Sequence, residues 1–219
     1  MKDTAQVMNL IAKYFPEITP EQLSLFEQLP ALYEEWNAKI NVISRQDIEN
    51  LMERHVLHSL AIAKAVRFLD GAELLDLGTG GGFPGIPLAI LAPQARFTLV
   101  DGTGKKIHVV QEVAAALGLN NVKAIHARAE ELRMNGAFDF VLSRGVALLP
   151  QLLQWSQRFL KKKHAHAYPN GILALKGGDL RAEINALPGR GHEYTEVIPI
   201  RNFFEEPFFE EKYVVYVQG

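Results

Sequence analysis

Apolar residues in the first third of the chain recur at steps of three and four. Leu23, Phe26, Leu29, Leu32, Tyr33, Trp36 and Ile40 fall on one face of a helix. Pro30 lies inside that run. A proline there lacks the amide its helix needs and crowds the preceding turn, so a kink or break is expected. A second helical stretch is expected from Asp47, a candidate N-cap, through Leu51, Val56 and Leu60 towards Leu69. Residues 1–70 carry no strand pattern and read as a helical cap.

The period changes after Gly71. ELLDL (73–77), FTLVD (97–101), VKAIHA (122–127), FDFVLS (138–143) and ILALK (172–176) are short, apolar and rich in β-formers. Helical patterns lie between them, as in residues 105–118, where Ile107, Val110, Val113, Ala114 and Leu117 share a face and Gly118 suits the position after the helix. Such alternation implies a parallel sheet with right-handed crossovers. YTEVIPI (194–200) and KYVVYVQ (212–218) have only a loop between them, so a closing pair with at least one antiparallel strand is expected. Residues 71–219 thus read as an α/β domain that forms one compact unit with the cap.

Composition narrows the chemistry. The chain has no cysteine, which removes disulfides, zinc–thiolate sites, thiol nucleophiles and iron–sulfur clusters and suits a reducing compartment. No metal site is expected. The first residues are acidic in part and lack a long apolar run, so no signal peptide is read there. No stretch approaches the roughly 18–20 apolar residues of a membrane span, and a cytoplasmic protein is expected. The net charge of −2 means that any nucleic-acid contact must come from a local basic patch.

The strongest motif follows the first strand: Asp76-Leu77-Gly78-Thr79-Gly80-Gly81-Gly82-Phe83-Pro84-Gly85. Glycines are needed where a backbone turns sharply and must approach a ligand. A helix is expected to begin near Pro84–Pro87, since proline suits a first turn. Asp101 closes the second strand, where an acid can accept both hydroxyls of a ribose. Two cofactors compete. Gly80 to Gly85 satisfy the dinucleotide fingerprint, which would make the protein an NAD(P)-dependent oxidoreductase. That loop wraps a pyrophosphate, however, and here the turn begins earlier, at Gly78, with Asp76 two residues before it. An acid beside the loop suits a cofactor without phosphate, S-adenosylmethionine, whose amino-acid end it can orient directly or through water. A methyltransferase is therefore the preferred reading.

At these residues the chain resembles the bacterial small-subunit ribosomal RNA guanine-N7 methyltransferases, the RsmG (glucose-inhibited division protein B) family. The matching stretches are Trp36-Asn37 with Asn41, Arg54-His55, DLGTGGGFPGIPLAI (76–90), VDGTGKK (100–106), ARAEEL (127–132), FDFVLSRGVA (138–147) and ALKGG (174–178). The resemblance implies a Rossmann-like, seven-stranded class I S-adenosylmethionine-dependent methyltransferase fold. It implies methylation of N7 of a guanosine in the decoding-region loop of 16S ribosomal RNA, with that RNA or the small subunit as partner and the protein a monomer. Carried over by position, Gly78, Gly80 and Phe83 in the loop, Ala129 and Glu130 after the third strand, and Arg144 after the fourth would contact the cofactor, with Asp101 on the ribose. Arg54 and His55 would lie near the RNA entrance. The chain departs from the family pattern at Gly81, where proline is usual, at His58, where aspartate is usual, and in Val42-Ile43-Ser44.

Guanine N7 carries an in-plane lone pair and no proton, so its methylation needs positioning and no general base. Ser143-Arg144-Gly145-Val146 stands where amino-directed enzymes carry an Asn/Asp-Pro-Pro-aromatic motif, and a cytosine-C5 enzyme would need a cysteine. Methylation of another RNA or of a small molecule stays open at this stage. Arg144 reads as a ligand contact or a surface ion-pair partner, and Glu130 as a ligand contact or a solvated helix start. His55 reads as an RNA-side or a structural histidine. Lys161-Lys162-Lys163 reads first as cations after a helix. Lys176, at the end of the fifth strand, is the better candidate for a phosphate of the RNA or a cofactor-side contact. Phe203, Phe204, Phe208 and Phe209 could stack on bases, but packing is the preferred reading.

Overall fold

The computed structural model describes residues 10–44, 47–189 and 193–219. Helix α1 (Pro20–Lys39) opens on a capping box in which Thr19 and Gln22 bond each other's backbone amides, with Pro20 in the first turn. The helix is not broken at Pro30. Phe26 and Leu29 before the proline and Tyr33 after it are all buried in the core, and this anchoring on both sides outweighs the roughly 3 kcal/mol that an interior proline costs.

The second helical stretch differs from expectation. It starts as a 3-10 turn (Ile48–Asn50), widens to a π-helix (Leu51–Leu57) and becomes α2 only at His58–Ala65. It stops at Val66, which is extended, short of Leu69. Asp47 does not cap it through its side chain. That carboxylate accepts instead from Arg54, at 3.0 Å, and from the Ser44 hydroxyl.

Seven strands form one sheet: β1 (Glu73–Leu77), β2 (Arg96–Asp101), β3 (Val122–His126), β4 (Phe140–Arg144), β5 (Gly171–Gly177), β6 (Thr195–Pro199) and β7 (Lys212–Gln218). Their order is β3-β2-β1-β4-β5-β7-β6. All neighbours are parallel except that β7 runs antiparallel to both β5 and β6. The crossovers place α3 (Gly85–Leu91) and α4 (Gly104–Ala116) with α1 and α2 on one face, and α5 (Leu149–Ser156) and α6 (Arg181–Asn185) on the other.

Alternation along the strands divides the core accordingly. Leu74, Phe97, Leu99, Phe140 and Leu142 pack towards the cap, whereas Leu75, Val100, Val141 and Ile172 pack towards α5. The same parity decides where chemistry can sit. Asp76, Asp101 and Arg144 occupy the cap-side positions of β1, β2 and β4. Asp76 pairs with Leu99 on one side and Leu142 on the other, so Gly78, one pleat further on, falls level with Asp101 and Arg144. The strand order reverses direction between β1 and β4, and ligands of open parallel sheets bind beyond the carboxyl ends at such a point.

Candidate active site

The glycine loop is tied down from below. The Gly78 and Thr79 amides both donate to the Val100 carbonyl, at 2.8 and 2.9 Å. Gly78 has φ +71, and a Cβ there would stand 2.5 Å from Val146 Cγ2. A left-handed turn and a close approach thus both demand glycine. At Gly85 the reason is proximity alone, since a Cβ would meet Leu99 at 2.6 Å and Asp76 Oδ2 at 2.8 Å.

Asp76 lies fully buried beneath the loop. Its Oδ2 accepts from the Thr79 hydroxyl at 2.6 Å and from the Gly85 amide at 2.8 Å. Its Oδ1 is buried without a hydrogen-bond partner among the described residues. Burial pushes the carboxyl up to about 6, opposed by the bonds from Thr79 and Gly85 and by the nearby Arg144. An unpaired buried oxygen is costly, and a cationic donor would satisfy it. The ammonium of a methionine moiety is such a donor.

Asp101 ends β2 with both oxygens directed at loops: Oδ2 accepts from the Gly80 amide (2.9 Å) and Oδ1 from the Thr103 amide (2.8 Å). It lines both halves of a two-part cleft. One half, of about 280 Å³, is bounded by Gly78 to Gly81, Phe83, Lys106 and Arg144. The other, of about 200 Å³, is bounded by Gly102, Ala127, Ala129, Glu130 and Trp155. Val146 faces both and stands between them. The cleft thus has one half beside the glycines and one beside the turn after β3, with Asp101 shared between them.

Arg144 is held on the cap side. Its Nη2 donates to His55 Nδ1 at 3.0 Å, its Nη1 approaches the Arg54 carbonyl at 3.4 Å, and its guanidinium lies 5.0 Å from the centre of the Phe83 ring. Burial lowers its pKa to about 10, so it remains a cation at neutral pH. His55, lowered to about 4 by burial and by Arg144, is neutral and accepts that bond. The Phe83 ring is itself buried against Tyr33 and His55, so this residue reaches the cleft from beneath the loop.

The remaining expected residues are placed as follows. Ala129 and Glu130 lie in a 3-10 turn after β3, with Glu130 exposed. The Ala129 carbonyl accepts from Arg158. Lys176 points inward: its ammonium donates to Glu183 and to the Ala147 carbonyl, both at 2.7 Å. An ammonium so engaged must give up a buried ion pair before it can take a phosphate, which counts against the RNA contact expected of it. Lys161 pairs with Asp139 at 2.8 Å. Phe204 and Phe209 are buried, whereas Phe203 and Phe208 are only partly so.

Sequence reasoning missed Lys106, Val146, Trp155 and Val42 as lining residues. It also missed the Tyr33 hydroxyl, which donates to the Gly81 carbonyl at 2.7 Å. Periodicity placed Tyr33 on a buried face but carries no signal for where a phenol points.

The sequence profile of the family described as rRNA small subunit methyltransferase G matches residues 22–195. The chain belongs to that family. It is 54% identical over 211 residues to the ribosomal RNA small subunit methyltransferase G of Bacteroides thetaiotaomicron, covering 96% of this chain and all of the relative. It is 49% identical over 210 residues to that of Christiangramia forsetii, covering 96% of each. Among solved structures, a SAM-dependent methyltransferase from Aquifex aeolicus matches with a TM-score of 0.54 at 15% identity, over 80% of this chain and 98% of that one. M. jannaschii TYW2 in complex with AdoMet matches with a TM-score of 0.51 at 19% identity, over 82% and 77%. These two share the fold. The protein is an rRNA methyltransferase with S-adenosylmethionine as its methyl donor, and the oxidoreductase reading falls. The buried Asp76 gives the physical reason, because a carboxylate under the loop would repel a pyrophosphate.

Proposed function

We propose that the protein methylates N7 of a guanosine in the decoding-region loop of 16S ribosomal RNA, acting in the cytoplasm as a monomer on the RNA or the small subunit. The observation that carries this reading is that the half of the cleft beside the glycines offers no unengaged proton acceptor among the described residues. Asp76 is buried and Asp101 is bound by two amides, and no other carboxylate or neutral histidine lines the half beside the glycines among the described residues. A nucleophile with a free lone pair, such as guanine N7, needs none.

The chain's own residues would act by positioning. Asp76, beneath the loop, would help orient the amino-acid end of the cofactor directly or through water, Asp101 would hold its ribose, and the loop amides of Gly78 and Gly80 would line its path. Ala129 and Glu130 would border the base, and Arg144 would bound the side facing the RNA. Bound there, S-adenosylmethionine supplies an electrophilic sulfonium methyl. Arg54 and His55 stand behind Arg144 on the cap side, which supports an RNA-facing role. No helix among the described residues is long and apolar enough to cross a membrane.

The deciding experiment maps N7-methylguanosine in 16S rRNA from cells with and without the gene. Loss of one decoding-region modification, restored by the wild-type gene and not by an Asp101→Ala copy, is the expected result. An unchanged map would overturn the substrate assignment.

A further inference from the structure

Beyond Arg144, outside the cofactor cleft, two cationic side chains and a neutral histidine surround one aromatic ring. Phe208 sits in the 3-10 turn Pro207–Phe209 just before β7. The Arg54 guanidinium lies 5.4 Å from the centre of its ring, and the Lys212 ammonium lies 5.2 Å from it. The His58 ring meets its edge at 5.6 Å and 82°. The π-helix and α2 bring Arg54 and His58 to this point one turn apart, and the antiparallel β7 brings Lys212 from the other end of the chain.

Lys212 carries the one charge of the cluster that no ion pair among the described residues offsets. Arg54 pairs with Asp47 at 3.0 Å. Lys212 forms no ion pair with any described carboxylate, although Glu210 and Glu211 precede it in sequence. An aromatic ring holds a cation in place through its quadrupole without cancelling its charge. Two polar atoms inside the cluster, Arg54 Nε and His58 Nε2, are buried and have no hydrogen-bond partner among the described residues. His58 as a whole is only 8% exposed. Buried polar groups in native proteins are almost always paired, and Arg54 Nε is a donor, so this orphan beside an unpaired ammonium marks a place for an oxyanion.

We propose that Arg54 and Lys212, arranged around Phe208 with the neutral His58 ring at its edge, bind a phosphodiester of the substrate RNA strand. The proposal rests on the rRNA reading above and adds Lys212 and Phe208 to it. Position supports an RNA phosphate over a free anion. The Arg54 carbonyl lies 3.4 Å from Arg144 Nη1, and Arg144 is a wall of the cofactor cleft. A strand gripped here is thus carried past the cleft mouth. The whole chain has a net charge of −2, so the contact is local and works at short range.

The test measures binding of a 16S rRNA fragment spanning the decoding-region loop across a salt series, with cofactor affinity followed separately by calorimetry. Lys212→Gln should weaken RNA binding by roughly three- to tenfold at moderate salt. It should also flatten the plot of log K against log salt by about 0.7, the contribution of one single-strand phosphate. Lys212→Arg should restore both, Phe208→Leu should give part of the loss, and cofactor affinity should not move. Unchanged RNA affinity and slope in folded Lys212→Gln and Arg54→Gln proteins would overturn the proposal. So would a loss confined to the cofactor. The same series on an unrelated single-stranded RNA separates the two readings. If wild type ignores the 16S fragment but the slope difference persists on the unrelated strand, the phosphate site stands and the substrate assignment fails.

Discussion

The Tyr33 hydroxyl donates to the carbonyl of Gly81 at 2.7 Å, and both groups are buried. One hydrogen bond therefore links the longest helix of the cap to the middle of the glycine loop, 48 residues along the chain. The Tyr33 ring also packs on Phe83 at 4.9 Å. The cap thus supports the floor of the cofactor cleft as well as covering the sheet.

Tyr33→Phe keeps that ring contact and removes the bond. The stranded Gly81 carbonyl should cost about 1–3 kcal/mol of stability, read by urea unfolding. Cofactor affinity should fall with it, because the loop loses its tether. A variant as stable as wild type with unaltered affinity would show that the loop holds its shape without the cap.

Gly78→Ala introduces a methyl group where φ is +71 and where Val146 Cγ2 would be 2.5 Å away. A left-handed non-glycine residue costs roughly 1–2 kcal/mol, and the clash adds to it. Calorimetry should record at least a tenfold loss of cofactor affinity. The double variant Gly78→Ala/Val146→Ala should recover the part due to the clash and leave the part due to strain. No recovery at all would place the whole effect in the backbone.

Asp76→Asn exchanges the charge at nearly constant shape. The amide oxygen can still accept from Thr79 and Gly85, while the orphan Oδ1 position becomes a donor. Stability at pH 7 should hold or rise, since an ionised carboxylate that burial has pushed up to about 6 is no longer required. Cofactor affinity should drop by roughly ten- to a hundredfold, the worth of a hydrogen bond to a charged group. Equal affinity would remove Asp76 from the ammonium site.

Acid should destabilise the protein in a window set by its buried histidines. Burial and neighbouring cations lower His55 to about 4 and His58 to about 3, so the unfolded chain protonates both as pH falls below about 6.5 while the native chain does not. Asp76 works in the opposite sense between about 4 and 6, where the native carboxyl holds a proton that the unfolded one has released. The balance is about one proton, a loss of roughly 1.4 kcal/mol per pH unit from 6 to 4. His58→Gln should flatten this slope in chemical denaturation series. A slope identical to wild type would show that His58 is protonated in the folded state.

The strands and the glycine loop were legible in the chain because each depends on local rules. Which of Leu74 and Leu75 faces the cap came from the structure. A left-handed turn needs Gly78, and the acid at the end of β2 follows from the layout of a nucleotide site. The continuity of α1 through Pro30 was not legible, because the local penalty is overcome by Phe26, Leu29 and Tyr33 anchoring both sides in a core that no window of sequence contains. The π-helical stretch before His58 escaped for the same reason.

The two cations nominated for function illustrate the limit most clearly. Lys176 and Lys212 are alike in sequence, each at a strand end. Tertiary structure pairs Lys176 with Glu183 and leaves Lys212 on a phenylalanine ring. The chain by itself determined a methyltransferase fold and a glycine loop between two acids, since these follow from backbone geometry and residue chemistry. Only the tertiary structure decided which charges are spent on one another, because an ion pair depends on distance in space between groups that the sequence keeps apart.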